Sequence, residues 1–322
     1  MRWSIALARR GPEAVLILTL TAAAPAAAEL AYVTCQNGEE LSVLDLDTGQ
    51  EAARWPVPGK PAGVAVTTAG NIYTVSPDSK TVRRMSTATG TVLASAVLDG
   101  GPIGAAYDPA RNRLFVSDWY NARVWALDGD TLAHTAELQT GAAPAGLALS
   151  GDGQYLASAD RDANQVSIFD AGTLGLLYRV TVGERPFGLR FAPDGRLFVA
   201  NVGTNDLSIV DAALGRITAT VPVGDRPYGV AFASGRAFVT NQYEDTVSVI
   251  ALDGLTDEGK IDVGEYPEGI DATADGSAVA VANWFDNTIT VIDAHSLSVL
   301  RQADTCDGPR AFGRFLLGGG NQ

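Results

Sequence analysis

Beyond residue 28 the chain is written in short apolar runs of four to seven residues, each bounded by Gly, Pro, Asn or Asp. No stretch keeps the three-to-four-residue spacing of an amphipathic helix over a useful length, so the pattern predicts strands throughout. One cycle shows the grammar. Pro186-Phe187-Gly188 opens a run that ends at the turn Ala192-Pro193-Asp194-Gly195, and Arg196–Ala200 forms a second run. A polar loop follows, then an alternating strand ending in Asp (Leu207–Asp211), a turn, and a fourth run, Arg216–Val223. The opening proline recurs at Pro61, Pro102, Pro144, Pro186, Pro227, Pro267 and Pro309, spaced 41, 42, 42, 41, 40 and 42 residues apart. Six of the seven stand in Pro-x-Gly triplets, and the seventh is Pro309-Arg310-Ala311.

Four short strands per unit of about 42 residues match the period and strand count of a β-propeller blade. Seven units predict an all-β, seven-bladed β-propeller of four antiparallel strands per blade over residues 29–317, with 318–322 as a tail. The small residues of runs such as Gly63-Val64-Ala65 and Gly146-Leu147-Ala148 suit an innermost strand, where the blades converge. Proline suits the start of that strand, where its missing N–H removes no ladder bond. The repeats are out of phase with the ends of the chain. Leu30–Lys60 supplies three strands with no Pro-x-Gly strand before them, and Pro309–Leu317 supplies a lone first strand. The two fragments are expected to combine into one closing blade, which removes the free edges of an open ring.

The wording of the repeat adds a resemblance. Tyr32-Val33-Thr34, Phe198-Val199-Ala200-Asn201 and Phe238-Val239-Thr240-Asn241, with Asn205–Asp211 and Asn287–Asp293, resemble the Tyr-Val-Thr-Asn signature and following segment of the YVTN family of β-propellers. The resemblance spans roughly residues 30–315 and implies the propeller fold. About activity it implies little, because one propeller scaffold hosts many unrelated functions. Related propellers include lactonases and haem- or quinone-linked periplasmic proteins, and some accompany quinoprotein (PQQ-dependent) oxidation.

Residues 1–28 read differently. Arg2, Arg9 and Arg10 precede the short apolar stretch Ala14–Ala24, and Ala26-Ala27-Ala28 offers a small-residue cleavage site before Glu29. This is the order of a secretory signal peptide, with cleavage after Ala28 and export to the periplasm expected. The apolar stretch is shorter than the ~18–20 residues of a spanning helix, and no other stretch is apolar enough for a membrane span. The full chain carries a net −14; removal of three Arg and one Glu with the signal makes it −16. An acidic chain lacks the clustered Lys and Arg that phosphate binding needs, so nucleic acid is not the expected partner.

The two cysteines fall at the expected seam. Cys35 ends a second strand, where other units have Asn201, Asn241 and Asn283, and Cys306 lies three residues before Pro309. Antiparallel neighbours in one blade would bring them together, predicting a Cys35–Cys306 disulfide in an oxidising compartment. Two unpaired buried thiols are the alternative; a redox pair lacks the Cys-x-x-Cys spacing.

The repeat also separates scaffold from candidate site. Asn201, Asn241 and Asn283 recur and read as turn formers, and the Asp closing each third strand (Asp45, Asp128, Asp170, Asp211, Asp293) precedes a turn. His134 and His295 sit beside such turns without convergent partners, so neither is expected to serve as ligand or acid–base. The loops after the second strand and before the first should share one face, and there the units diverge. They carry Trp119, Tyr120, Arg161, Tyr243, Trp284 and Phe285 in the first set, and Arg185, Arg226 and Tyr266 before proline in the second. The residue after proline varies too, with Phe187, Tyr228, Glu268 and Arg310 in four consecutive units. Interleaved aromatics and Arg are the residue types of recognition surfaces, and aromatic faces with Arg suit a flat, carboxylated ligand. The alternative is packing: rings covering the blade tops, with Glu268 and Arg310 pairing across neighbouring blades.

Enzymatic wording is sparse. There is no Gly-x-Ser-x-Gly elbow, no phosphate-cradling Gly-x-x-x-x-Gly-Lys loop and no Cys-x-x-Cys-His haem attachment. A lactonase-like hydrolase would need carboxylates converging at the channel, for which Asp118, Asp160 and Glu268 are available. The expectation is therefore a monomeric, non-enzymatic binding or accessory module for a periplasmic protein or small molecule, with no catalytic residue, metal or cofactor assigned. The lactonase and a carrier of a redox cofactor are the alternatives.

Overall fold

A computed structural model describes residues 29–316; the expected signal segment and the tail after 317 lie outside the described residues. The described chain is a seven-bladed β-propeller. Blade 1 runs Gly63–Val66, Asn71–Ser76, Thr81–Ser86, Val92–Val97. Blades 2 to 6 begin at Pro102, Pro144, Pro186, Pro227 and Pro267 and end at Gln139, Thr181, Pro222, Asp262 and Asp304. Each is an antiparallel meander of four strands. Blade 7 holds Leu30–Cys35, Glu40–Asp45 and Glu51–Pro56 as its outer three strands.

The burial pattern explains the alternation of the sequence. Second and third strands are buried on both faces, as in Tyr155–Asp160 and Gln165–Asp170, because each blade is sandwiched between two others. Outer strands such as Leu176–Thr181 are largely exposed. The apolar cores accordingly lie between blades: Phe198, Leu207 and Val221 of blade 4 pack with Val230, Val239 and Ile250 of blade 5.

Near the axis the Pro-x-Gly triplet is a bulge. Pro102 pairs with Asp118 but Ala105 with Val116, so Ile103 and Gly104 together oppose Ser117, and blades 3 to 6 repeat the shift. The glycine is required by the next blade: a Cβ at Gly188 would stand 2.0 Å from the carbonyl oxygen of Tyr228. The same approach recurs around the ring, from Gly63 to Ile103, Gly104 to Ala145, Gly146 to Phe187 and Gly229 to Glu268. In three blades a hydroxyl opposite the bulge relays this contact. Thr240 Oγ1 accepts the N–H of Gly229 (2.8 Å) and donates to the Glu268 carbonyl (3.0 Å). Ser117 links Gly104 to Ala145 and Thr34 links Ala311 to Ala62 in the same way. The Thr of the Tyr-Val-Thr wording is thus an inter-blade clasp.

Closure follows the expected joining of the two chain ends, with one difference. Pro309–Leu316 lies along the inner edge of Leu30–Cys35, bridged at Cys35–Pro309 and Ala31–Leu316. The Tyr32 N–H donates to the Phe315 carbonyl at 2.7 Å and the Arg310 N–H to Thr34 at 2.8 Å. Between these points Phe312–Arg314 turns to pair in parallel with Gly63–Val66 of blade 1. The reason lies in the irregular triplet. Ala311 occupies the glycine place, and the close approach is met two residues later by Gly313, whose φ is 132° and whose Cβ would lie 2.2 Å from the Val64 carbonyl. Cys35 and Cys306 form the predicted disulfide, with Cα atoms 5.8 Å apart across 271 residues of chain.

Two outcomes are expected. Replacing both cysteines by Ala should lower stability by up to about 5–6 kcal/mol, the loop-closure figure for so long a span, read as a drop in the denaturant midpoint that reduction of the parent protein reproduces. Thr240→Val should cost about 1–3 kcal/mol by stranding a buried N–H and carbonyl, whereas Thr240→Ser should restore most of it.

Candidate functional site

The loops expected to share a face do so, held by a repeated main-chain bond. The residue after the second strand donates its N–H to the carbonyl of the residue before proline: Trp119 to Gly101, Arg161 to Ala143, Val202 to Arg185, Gln242 to Arg226, Trp284 to Tyr266 and Gln36 to Gly308, at 2.8 to 3.1 Å. Arg185, Arg226 and Tyr266 are left-handed, with φ of 53°, 54° and 58°, a conformation that costs a non-glycine residue roughly 1–2 kcal/mol. Side chains of the preceding blade hold them there. Asn164 Oδ1 accepts the Arg185 N–H, Asn205 that of Arg226 and Asp245 that of Tyr266, at 2.9 to 3.0 Å.

This geometry brings four predicted aromatics together over blades 5 and 6. The Tyr266 ring lies 5.8 Å from Tyr243, 5.8 Å from Trp284 and 4.9 Å from Phe285, and Trp284 and Phe285 are 4.8 Å apart. Arg226 extends the ridge: its guanidinium lies 4.3 Å from the Tyr243 ring centroid and donates to the Tyr243 hydroxyl at 2.7 Å. Tyr243 is 56% exposed and Phe285 60%. Beneath them, Trp284 Nε1 and Arg226 Nε are buried donors with no hydrogen-bond partner. On the far side of the face Arg161 stacks over Trp119 at 5.5 Å, and Tyr120 is 77% exposed.

The residues after proline are placed differently from the expectation of an exposed set. Phe187, Tyr228 and Glu268 are only 6%, 4% and 3% exposed, because the triplet bulge turns them towards the axis, where neighbouring blades close over them. Phe187 stacks on Tyr228 at 4.3 Å, and Phe312 packs 5.0 Å from Phe187. The Phe312 ring crosses the axis from the closing strand to blade 3, where a Cβ on Gly146 would meet its Cζ at 3.4 Å. These three rings, with Ala145, Val202 and the flanks of Ile103 and Trp119, form an apolar plug.

Beside the plug is a buried polar cluster. Arg310 Nε lies 3.1 Å from Glu268 Oε2, and its other nitrogens donate to the Tyr228 hydroxyl (2.8 Å) and Gln36 Oε1 (3.0 Å). Gln242 donates to Glu268 Oε1 at 3.0 Å. Burial pushes the Glu268 carboxyl up, against the opposing pull of Arg310 and Gln242, and burial pushes the Tyr228 hydroxyl up strongly. Glu268 and Arg310 therefore do pair across neighbouring blades, and the pair serves the plug.

The three candidate carboxylates are held in separate local networks. Asp118 and Asp160 end second strands, in the place of Asn201, Asn241 and Asn283, and all five are buried. The asparagines act across strands more than in turns: Asn241 donates to Thr246 and Ser248 and accepts from the Gly224 N–H. Asp160 copies this set, accepting from Gly141 N–H, Ser167 and Gln165. Burial raises its carboxyl above the usual range in spite of those donors. Asp118 pairs instead with Arg123 at 2.8 Å. Burial opposes its ionisation, but the Gly101 N–H, Asn121 and Arg123 prevail and hold it below the usual range. Among the described residues no three His, Cys, Asp or Glu side chains gather as metal ligands would.

Three polar residues near the axis escaped sequence reasoning: Arg190, Asp271 and Gln36. The first two carry a legible signal, since a charge in an otherwise small, apolar innermost strand (Pro186–Phe191, Pro267–Ala272) breaks the pattern of the unit.

The molecule is thus a seven-bladed propeller with a plugged axis and an aromatic, Arg-bearing upper face. No family model and no curated protein matches the chain. Among solved structures it is similar to Kuenenia stuttgartiensis hydrazine synthase, with a TM-score of 0.71, 16% identity and coverage of 79% of this chain and 89% of that one. A functionally unknown protein from Desulfotomaculum acetoxidans DSM 771 superposes with a TM-score of 0.74 at 16% identity, covering 87% and 99%. Dihydro-heme d1 dehydrogenase NirN, in complex with DHE, gives 0.67 at 15% identity, covering 90% and 75%. At these identities the likeness establishes the fold alone.

Opposite shifts at equivalent positions predict opposite effects. The raised Asp160 pKa means that stability falls as pH rises through it, so Asp160→Asn should stabilise by about 1 kcal/mol at pH 7. The gain should vanish in acid, where both forms are neutral. The depressed Asp118 pKa means that its stabilisation is present above the unfolded value and lost as pH falls through the folded one. Asp118→Asn should accordingly destabilise by about 1–3 kcal/mol at pH 7, and urea titrations of both variants at pH 7 and pH 3 check the contrast.

Proposed function

We propose that this chain is an exported periplasmic binding or accessory module of the YVTN type, working without catalysis through the upper face. The observation that carries the reading is the ridge Tyr243–Tyr266–Trp284–Phe285 with Arg226. The unlike loops of blades 5 and 6 converge there on four rings, of which Tyr243 and Phe285 lie open to solvent, and on a partly exposed guanidinium. Aromatic and Arg side chains supply most of the energy at recognition hot spots, and a rigid scaffold holds them at low entropic cost. The Cys35–Cys306 disulfide favours an oxidising compartment, and no helix among the described residues is long and apolar enough to cross a membrane. The hydrolase alternative needs carboxylates that converge, and Asp118 and Asp160 are committed to scaffold bonds in different blades.

The test is affinity capture from native periplasm with the whole chain, followed by titration of the captured partner. Tyr243→Ala/Phe285→Ala removes two exposed rings whose loss leaves the cores intact, and should weaken binding at least tenfold (roughly 1.4 kcal/mol or more) with an unchanged melting temperature. Unaltered affinity would overturn the assignment of this face, and turnover of a lactone by the purified protein would overturn the non-enzymatic reading.

A further inference from the structure

The upper corner between blades 7 and 1 departs from the pattern of the unit at three linked places. In blades 3 to 6 the last residue of the second strand bonds to a hydroxyl on the third. Asn201 donates to Ser208, Asn241 to Ser248 and Asn283 to Thr290, at 2.8 to 2.9 Å, and Asp160 accepts from Ser167 at 2.6 Å. In blades 3 and 5 the same residue also holds the N–H of the glycine three places before proline, Gly141 and Gly224. Blade 1 inverts this arrangement. Pro58 stands in the glycine place and has no N–H to be held. Ser76 ends the second strand, and Arg83 takes the hydroxyl position on the third. The residue opposite Arg83 on the second strand is Thr74, where five other units have Val, so the face that meets blade 7 is polar here.

Arg83 is half-buried, and its Nη1 donates to the Ser76 hydroxyl at 2.9 Å, its one hydrogen bond among the described residues. A guanidinium carries five N–H donors, so most of this fork is left for another acceptor. Glu39 is the acid whose charge reaches Arg83; it stands beyond ion-pair distance, and its Oε1 accepts the Gly59 N–H at 3.2 Å. The adjacent Glu40 is paired with Arg54. Burial accordingly pulls the Arg83 pKa down, and Glu39 offsets this only in part.

Two lysines are brought to the same corner. The Asp78 N–H donates to the Gly59 carbonyl at 3.2 Å and the Ser79 hydroxyl to that of Pro58 at 3.5 Å, which lays the turn before the third strand on the loop before Pro61. Lys60 and Lys80 end these two segments, both exposed and both left-handed, with φ of 57° and 54°. They are two of the three lysines in the chain, and neither makes an ion pair among the described residues. Three cations against Glu39 and the exposed Asp78 leave the corner positive in a chain whose net charge is −14.

We propose that this corner binds the carboxylate of a small monoanion, seated on the Arg83 fork and flanked by Lys60 and Lys80. The planar guanidinium matches a carboxylate and gives charge-assisted bonds. A single negative charge answers the local surplus, whereas a polyanion would also meet Glu39 and Asp78. Blade 7 lies between this corner and the ridge over blades 5 and 6, so the site is independent of the partner proposed for that ridge.

The test is a fluorine NMR titration of the whole chain with para-trifluoromethylbenzoate and with its neutral counterpart para-trifluoromethylbenzamide, at constant ionic strength. The acid should bind at least about tenfold more tightly than the amide, the order expected for hydrogen bonds to a charged group. Arg83→Ser, which restores the residue that four other units carry there, should remove this preference with the melting temperature retained. Lys60→Ala/Lys80→Ala should weaken the acid roughly two- to fivefold, because exposed charges act through solvent. Arg179→Ser, on the exposed outer strand of blade 3, and Tyr243→Ala/Phe285→Ala should leave its affinity unchanged. Equal affinity for acid and amide, or a preference undiminished in a folded Arg83→Ser, would overturn the proposal. So would an affinity untouched by the lysine pair, loss of binding in either control variant, or tighter binding of hexaglutamate in competition.

Discussion

Everything in this propeller depends on how closely seven backbones can approach one axis. At each Pro-x-Gly bulge the glycine backbone lies against the carbonyl of the residue after proline in the next blade, at a distance that excludes a Cβ. Proline sets the strand start, and glycine permits the contact. Where Thr34, Ser117 or Thr240 is present, one hydroxyl satisfies a donor on its own blade and an acceptor on the next. A main-chain polar group left unpaired this deep would be costly, so the ring closes only where these approaches and bonds are met together. The same bulge directs the residue after proline to the axis and leaves the residue before it left-handed at the upper face. Plug and recognition ridge are therefore two consequences of one local geometry.

The closing strand shows what happens when the rule is broken once. Ala311 takes the glycine place, the strand leaves Leu30–Cys35 after a few bonds, and Gly313 makes the close contact with blade 1 instead. That detour carries Phe312 across the axis. The disulfide and the clasp at Thr34 both fasten this least regular blade.

The recurrence of the units made the fold, the composite blade and the cysteine pairing legible in advance. Each depends on position within a repeat, and position survives in sequence. The candidate site was legible in part. Tyr120, Tyr243 and Phe285 lie open on the upper face, as loop divergence implied, whereas Phe187, Tyr228 and Glu268 look equally variable in sequence and are buried. Asp118 and Asp160 were available as carboxylates for a hydrolase, yet they occupy the buried position that Asn holds in other units and make bonds of the same kind.

The sequence by itself determined the architecture, because strand length, turn chemistry and a 42-residue period are local properties repeated along the chain. It also determined which residues are exceptional, since each unit is a control for the others. Only the tertiary structure decided what the exceptions do. Phe187, Tyr228, Glu268, Arg310 and Phe312 belong to four different blades, and whether they face solvent or one another is settled where the ring closes. Arg190 and Asp271 stand 81 residues apart and meet only across the axis. Contacts of that kind depend on the radius and registry of the whole ring, which no single repeat encodes.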